Sequence, residues 1–174
     1  MPAKAGDTIT ATYTVTVKDS SNETTTQDVS ITINGVNDAP TLTATATNPN
    51  FTEAVGLGIQ ADPVNVFSGA SLSTVDSGQG ITYLRFTVSG LKDGANESIV
   101  VDGKTITLGA SSSGTTTTSG FSYTASVTSS SATVTLSKTS PGISTTSAES
   151  IINGITYQNT NKDNPTAGNR VFTL

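Results

Sequence analysis

The feature that most constrains this chain is a two-residue period that runs through most of its length. In residues 8–17, Thr8, Thr10, Thr12, Thr14 and Thr16 alternate with Ile9, Ala11, Tyr13, Val15 and Val17. A period of two sends successive side chains to opposite faces of a strand, so such a segment presents one aliphatic face and one hydroxylic face. The pattern returns in Val29, Ile31 and Ile33 against Asp28, Ser30 and Thr32, and Asp19-Ser20-Ser21-Asn22-Glu23 between the two runs is turn chemistry. Residues 8–33 therefore read as an antiparallel hairpin.

The same grammar continues downstream. Leu42, Ala44 and Ala46; Leu84, Phe86 and Val88; Phe121, Tyr123, Ala125 and Val127; and Ala132, Val134 and Leu136 each mark one face of a strand. Asp102-Gly103 between Ser98–Val101 and Lys104–Leu108 predicts a two-residue hairpin turn, because both of its positions need residues that tolerate positive φ. Residues 147–153 break the period. Thr146 or Ser147 offers an N-cap and Gly154 a stop, which predicts one short helical turn. Gly109 to Gly120 is almost all Ser, Thr and Gly, and reads as a mobile loop. Many short strands with polar turns and no βαβ spacing indicate an all-β, antiparallel sandwich.

Composition narrows the chemistry. The 174 residues include no Cys and no His, which removes thiolate and Ser-His nucleophiles, soft-metal sites and disulfides. Eight Lys and Arg against thirteen Asp and Glu give a net charge of −5, the wrong sign for a nucleic-acid surface. No apolar run reaches bilayer-spanning length, so no membrane insertion is expected. Ser and Thr make up about a third of the chain, a hydroxylic rather than ionic surface. The threonine ladder of residues 8–16 reads either as an array for ice or sugar or as ordinary outward-facing strand residues. Arg170, in the polar loop 161–170, is expected to pair locally with an acidic neighbour such as Asp163.

At Asn37-Asp38-Ala39-Pro40 strand pairing should stop, because proline lacks the N–H of a ladder and restricts the residue before it. The expected organisation is a terminal hairpin of a preceding module over 1–36, a junction at 37–40, and one module over 41–174 that lacks its last strand. The stretch from Ile31 through Gly35-Val36-Asn37-Asp38-Ala39-Pro40 resembles the repeat junction of giant bacterial adhesins with cadherin-like or VCBS-type repeats. Phe51-Thr52-Glu53, Val75-Asp76, Leu91-Lys92-Asp93-Gly94 and Ile155–Asn159 through Asn164–Arg170 resemble a long repeat of the same RTX-type adhesins.

The resemblance implies an immunoglobulin-like or cadherin-like sandwich strung in tandem on the bacterial cell surface, outside the cell, with calcium where repeats meet. Asn37 and Asp38 would be linker ligands, joined by Glu53, with Asp76 and Asp19 as further candidates. The alternative at Asn37-Asp38 is an Asx turn before proline that needs no metal. The paired carboxylates of strong cadherin sites are absent, since Asp76 has no acidic residue two positions away. The implied calcium affinity is therefore weak, roughly 10⁻⁴ to 10⁻³ M, and the site can stand empty. The implied function is a non-enzymatic extender, or spacer, whose partners are neighbouring repeats of the same polypeptide, with strand or hairpin exchange onto another copy. The alternative is a module that grips sugar or peptide with loops 109–120 and 161–170.

Overall fold

The computed structural model describes residues 6–76 and 78–174. Residues 1–5 of the expected first segment lie outside the described residues. The chain divides into two compact units: the chain up to Pro40 with Thr74–Gly78, and Thr41–Ser73 with Gln79–Leu174.

The first unit is built on β1 (Thr8–Lys18) and β2 (Thr24–Asn34), paired antiparallel over their full length in the register Ile9↔Ile33, Ala11↔Ile31, Tyr13↔Val29. Directly opposed residues share a face. The aliphatic residues of both strands thus form one face, and Thr12–Ser30 and Thr14–Asp28 pair by side-chain hydrogen bonds on the other. The reversal is held by Asp19, whose Oδ1 accepts from the N–H of Ser21 at 2.8 Å and of Glu23 at 2.9 Å, with Asn22 at φ 70°.

The second unit contains β3 (Thr41–Ala46), β4 (Val64–Asn65), β5 (Phe67–Ser73), β6 (Tyr83–Ser89), β7 (Glu97–Val101), β8 (Lys104–Thr107), β9 (Ser112–Thr115), β10 (Ser122–Val127), β11 (Ser131–Ser137), α1 (Thr145–Asn153), β12 (Thr156–Asn159) and β13 (Val171–Thr173). They form a five-stranded sheet β13-β6-β11-β10-β9, a four-stranded sheet β4-β12-β7-β8 and the pair β3-β5, all antiparallel. The two larger sheets share one core. Leu84, Phe86 and Val88 of β6 and Val134 and Leu136 of β11 come from one side, and Ile99, Val101, Ile106 and Tyr157 from the other. The β6 and β11 residues stand at the inward positions that the period marks. The fold is an antiparallel β-sandwich with one short helix.

The β7–β8 turn places Asp102 at φ 48° and Gly103 at φ 75°, the two positive values such a turn requires. The Asp102 carboxylate, buried beneath it, accepts from the hydroxyls of Thr116 and Ser119 and from the Ser119 N–H. Residues 109–120 therefore differ from the expected mobile loop: Ser112–Thr115 pair with β10, and the following turn is tied to Asp102. The helix also differs, opening at Ser144, whose hydroxyl caps the Ser147 N–H, and running nine residues rather than one turn.

That helix finishes a sheet edge. Glu149 Oε1 accepts from the Leu72 N–H at 2.8 Å and Asn153 Oδ1 from the Ala70 N–H at 2.9 Å. Four residues of helix advance about 6 Å, close to the 6.6–6.8 Å between alternate residues of a strand, so two side chains replace two rungs of a ladder. Glu149→Ala and Asn153→Ala are each expected to cost about 1 kcal/mol and to speed hydrogen exchange at Leu72 and Ala70 respectively. Equal exchange rates in variant and parent would show that these bonds do not hold the edge.

Candidate functional site

In the first unit, the residues singled out at the junction are brought together in part. Asp76 is only 4% exposed, and its Oδ2 accepts from the backbone N–H of Asp38 at 3.2 Å. The Thr74 hydroxyl donates to the Asp76 carbonyl. Asn37, Asp38 and Asp76 thus belong to one neighbourhood, at the end of β2. Asp19 does not join them. It sits at the far end of the ribbon, ten residue steps or about 34 Å away, with one carboxylate oxygen committed to its own turn. Glu53 lies exposed on the second unit, on an irregular segment after β3. Among the described residues, no three Asp, Glu, His or Cys side chains form a group able to hold a metal ion.

The densest polar cluster lies in the second unit, and three strand ends build it. Glu97 shares the inward parity of Ile99 and Val101, Asn159 that of Tyr157, and Arg170 that of Phe172. Glu97 is fully buried, at 0% exposure. Its Oε2 accepts from the N–H groups of Lys92 and Asp93 at 2.7 and 2.8 Å, and its Oε1 from the Tyr157 hydroxyl at 2.7 Å and Arg170 Nε at 2.6 Å. Asp93 Oδ2 accepts from Asn159, from the Thr166 N–H at 2.9 Å and from Arg170 at 3.4 Å. The remaining Arg170 nitrogen donates to the carbonyls of Thr166 and Gly168.

Arg170 thus pairs with Glu97 and Asp93 rather than with Asp163, whose Oδ1 accepts instead from the Gly58 N–H. Sequence proximity misleads here because a strand carries its inward charge into the sandwich, toward residues some seventy positions away. The signal that finds the cluster is a charged residue at inward parity.

Burial alone would push the carboxyls of Glu97 and Asp93 up. For Glu97 the bonds from Arg170, the Asp93 N–H, Tyr157 and the Lys92 N–H outweigh it, and for Asp93 those from Thr166, Asn159 and Arg170, so both lie below their ordinary values. Burial and the bond to Glu97 push the Tyr157 hydroxyl up. Both acids stay ionised near neutrality and are saturated with donors, an arrangement that locks loop 160–170 rather than one poised for proton transfer.

Beside this cluster, and wholly within the second unit, lies an open cleft of about 740 Å³ between the segment 48–53 and β13. Phe51, Val64, Val66, Tyr157 and Phe172 line it, with Arg170 at its polar side. Tyr157 packs edge-on against both Phe51 and Phe172, at centroid distances of 5.7 and 6.0 Å. Aromatic edges of this kind give the cleft a firm apolar wall.

No protein-family model, curated protein or solved structure matches this chain. Among the described residues, no helix is long and apolar enough to cross a membrane.

Proposed function

We propose that this chain is a non-enzymatic extender segment of a large bacterial cell-surface adhesin, working outside the cell by joining β-modules end to end. The observation that carries this reading is the first unit: a two-stranded ribbon with one aliphatic face uncovered, leading into Asn37-Asp38-Ala39-Pro40 with the buried Asp76 carboxylate beside Asp38. An isolated two-stranded ribbon is marginal in water, so such an element belongs to a larger β-assembly to which neighbouring repeats contribute. The second unit supports the same reading, because Ser119 of loop 109–120 is tied to Asp102 and Arg170 of loop 161–170 holds the carbonyls of Thr166 and Gly168, bonds that stiffen the module.

Calcium is the ion whose chemistry suits the junction, since Asp38 and Asp76 supply carboxylates and Asn37 an amide oxygen, all hard ligands. Two carboxylates make a weak site, in the extracellular range of roughly 10⁻⁴ to 10⁻³ M. Bound there, the ion neutralises like charges that would otherwise repel across a short linker. At about 10 mM calcium, a site of that affinity stabilises the folded form by about 1.5–3 kcal/mol. Thermal unfolding of the full chain should therefore shift upward with calcium over chelator, and Asp38→Asn with Asp76→Asn should remove the increment. Superimposable melts with and without the ion would rule out a calcium joint.

A further inference from the structure

The sheets leave two open features that complement each other. In the first unit, Ile9, Tyr13, Val15, Val17, Val29, Ile31 and Ile33 keep 46–61% of their surface exposed, all on one face. Among the described residues, neither β1 nor β2 has another strand on its outer edge. In the second unit, β13 is an edge strand paired only with β6, and the cleft opens beside it, lined by Val171 and Phe172 together with polar residues such as Asn169 and Arg170. Three other strand edges of that unit are blunted, while β3 and β8 are edge strands of which β3 reaches the cleft only at Ala46 and β8 not at all. α1 side chains cap β5, β9 consists of Ser, Gly and Thr, and β4 is two residues long. β13 joins an open ladder to an open cleft whose wall holds Phe51 and Phe172 among polar residues.

We propose that the cleft beside β13 receives the β1–β2 ribbon of a second copy of this chain. One ribbon strand pairs with the β13 edge, and the Ile-Tyr-Val face enters the cleft over Phe51, Tyr157 and Phe172. This rests on the reading of the chain as a unit of an end-to-end assembly and names the contact that makes the joint.

The chemistry of the occupant follows from the receptor. A strand laid on β13 must send alternate side chains to opposite sides, aliphatic or aromatic into the cleft and hydroxylic outward. β1 supplies that alternation over eleven residues. The seven half-exposed side chains of the ribbon, four on β1 and three on β2, offer roughly 600 Å², short of the ~800 Å² that each partner gives to a stable interface, and strand pairing along β13 adds to it. The two patches differ, so the contact is heterologous: each copy carries one donor ribbon and one receptor cleft.

Because the two halves are separate, they can be blocked separately. Ile31→Lys places a charge at the centre of the ribbon face. Ala46→Trp fills the cleft from an exposed lining position. Sedimentation equilibrium of the full chain should show self-association, and each variant alone should lose at least about 30-fold in affinity, the effect of removing an interface hot spot. An equimolar mixture should form a one-to-one dimer, since each variant retains the half that the other lacks, and that result also shows that both are folded. A parent chain that stays monomeric at about 1 mM, an Ala46→Trp variant that associates like the parent, or a mixture that remains monomeric would each overturn the proposal. The association is measured in calcium and in chelator. A calcium-dependent melt without association defeats this contact alone, and association without any calcium effect defeats the calcium joint alone.

Discussion

Replacing Glu97 with alanine is expected to destabilise the sandwich by about 3–5 kcal/mol, the cost of removing one partner from a buried ion pair and leaving the other uncompensated. Glu97 is fully buried and receives four hydrogen bonds, from two backbone N–H groups, a buried tyrosine and Arg170, all of which lose their acceptor. For a chain of this size the melting temperature should fall by roughly 10 °C or more. A variant melting within about 2 °C of the parent would show that the cluster is not a stabilising clamp. The double variant Glu97→Gln with Arg170→Met should lose less than the sum of the single changes, because neither Glu97 nor Arg170 is left charged without the other.

The same cluster sets an acid dependence whose sign follows from the lowered carboxyls. In the unfolded chain Glu97 and Asp93 titrate near 4.5 and 3.8, and in the folded protein each titrates lower. Between those values the unfolded state binds more protons, so stability falls as pH falls. The contribution is complete above about pH 5 and is lost as pH drops through the folded values. Glu97→Gln should flatten that part of the profile while leaving the share that belongs to Asp93.

Much of the sandwich was legible because parity is a local property with a global consequence. Leu84-Phe86-Val88 and Ala132-Val134-Leu136 stand in the structure on the faces their spacing predicts, and Asp102-Gly103 forms its turn from residues that need nothing beyond their own backbone preferences. What sequence reading missed depends on contacts distant along the chain. β9 has no aliphatic alternation, since Ser112–Thr115 are all exposed, and it is a strand only because β10 offers an edge. The helix start moved to Ser144 because Ser144, Thr145, Thr146 and Ser147 are all capping residues, and composition cannot choose among them. At the junction, Asn37 and Asp38 could be named from the linker pattern. Asp19, a further candidate of the same resemblance, stands at the other end of the ribbon because eleven-residue strands separate its turn from the junction.

Gly80→Ala is the second change expected to have a large effect, and its reason was invisible in sequence. A Cβ at Gly80 would lie 2.0 Å from the Pro141 carbonyl oxygen and 3.0 Å from that of Ile143, both main chain. The substitution is refused by space, because rigid backbone on the far side cannot rotate away as a side chain would. Next to it, Ile81 and Ile143 exchange N–H···O bonds of 2.8 and 3.0 Å, a bridge that joins the lead-in of β6 to the connection before α1. Making room for the methyl means parting that bridge. Overpacking of about 1–3 kcal/mol adds to two lost hydrogen bonds of about 1 kcal/mol each, for an expected loss near 3 kcal/mol or above. Gly154→Ala, whose new Cβ meets nothing nearer than 3.1 Å, should cost far less. Because the bridge positions the start of α1, and α1 carries Glu149 and Asn153 to the edge of β5, Gly80→Ala should also accelerate hydrogen exchange at Ala70 and Leu72. If the variant loses stability while those two amides keep their protection, the helix is held in place by its buried Ala148, Ile151 and Ile152 alone and not through the bridge.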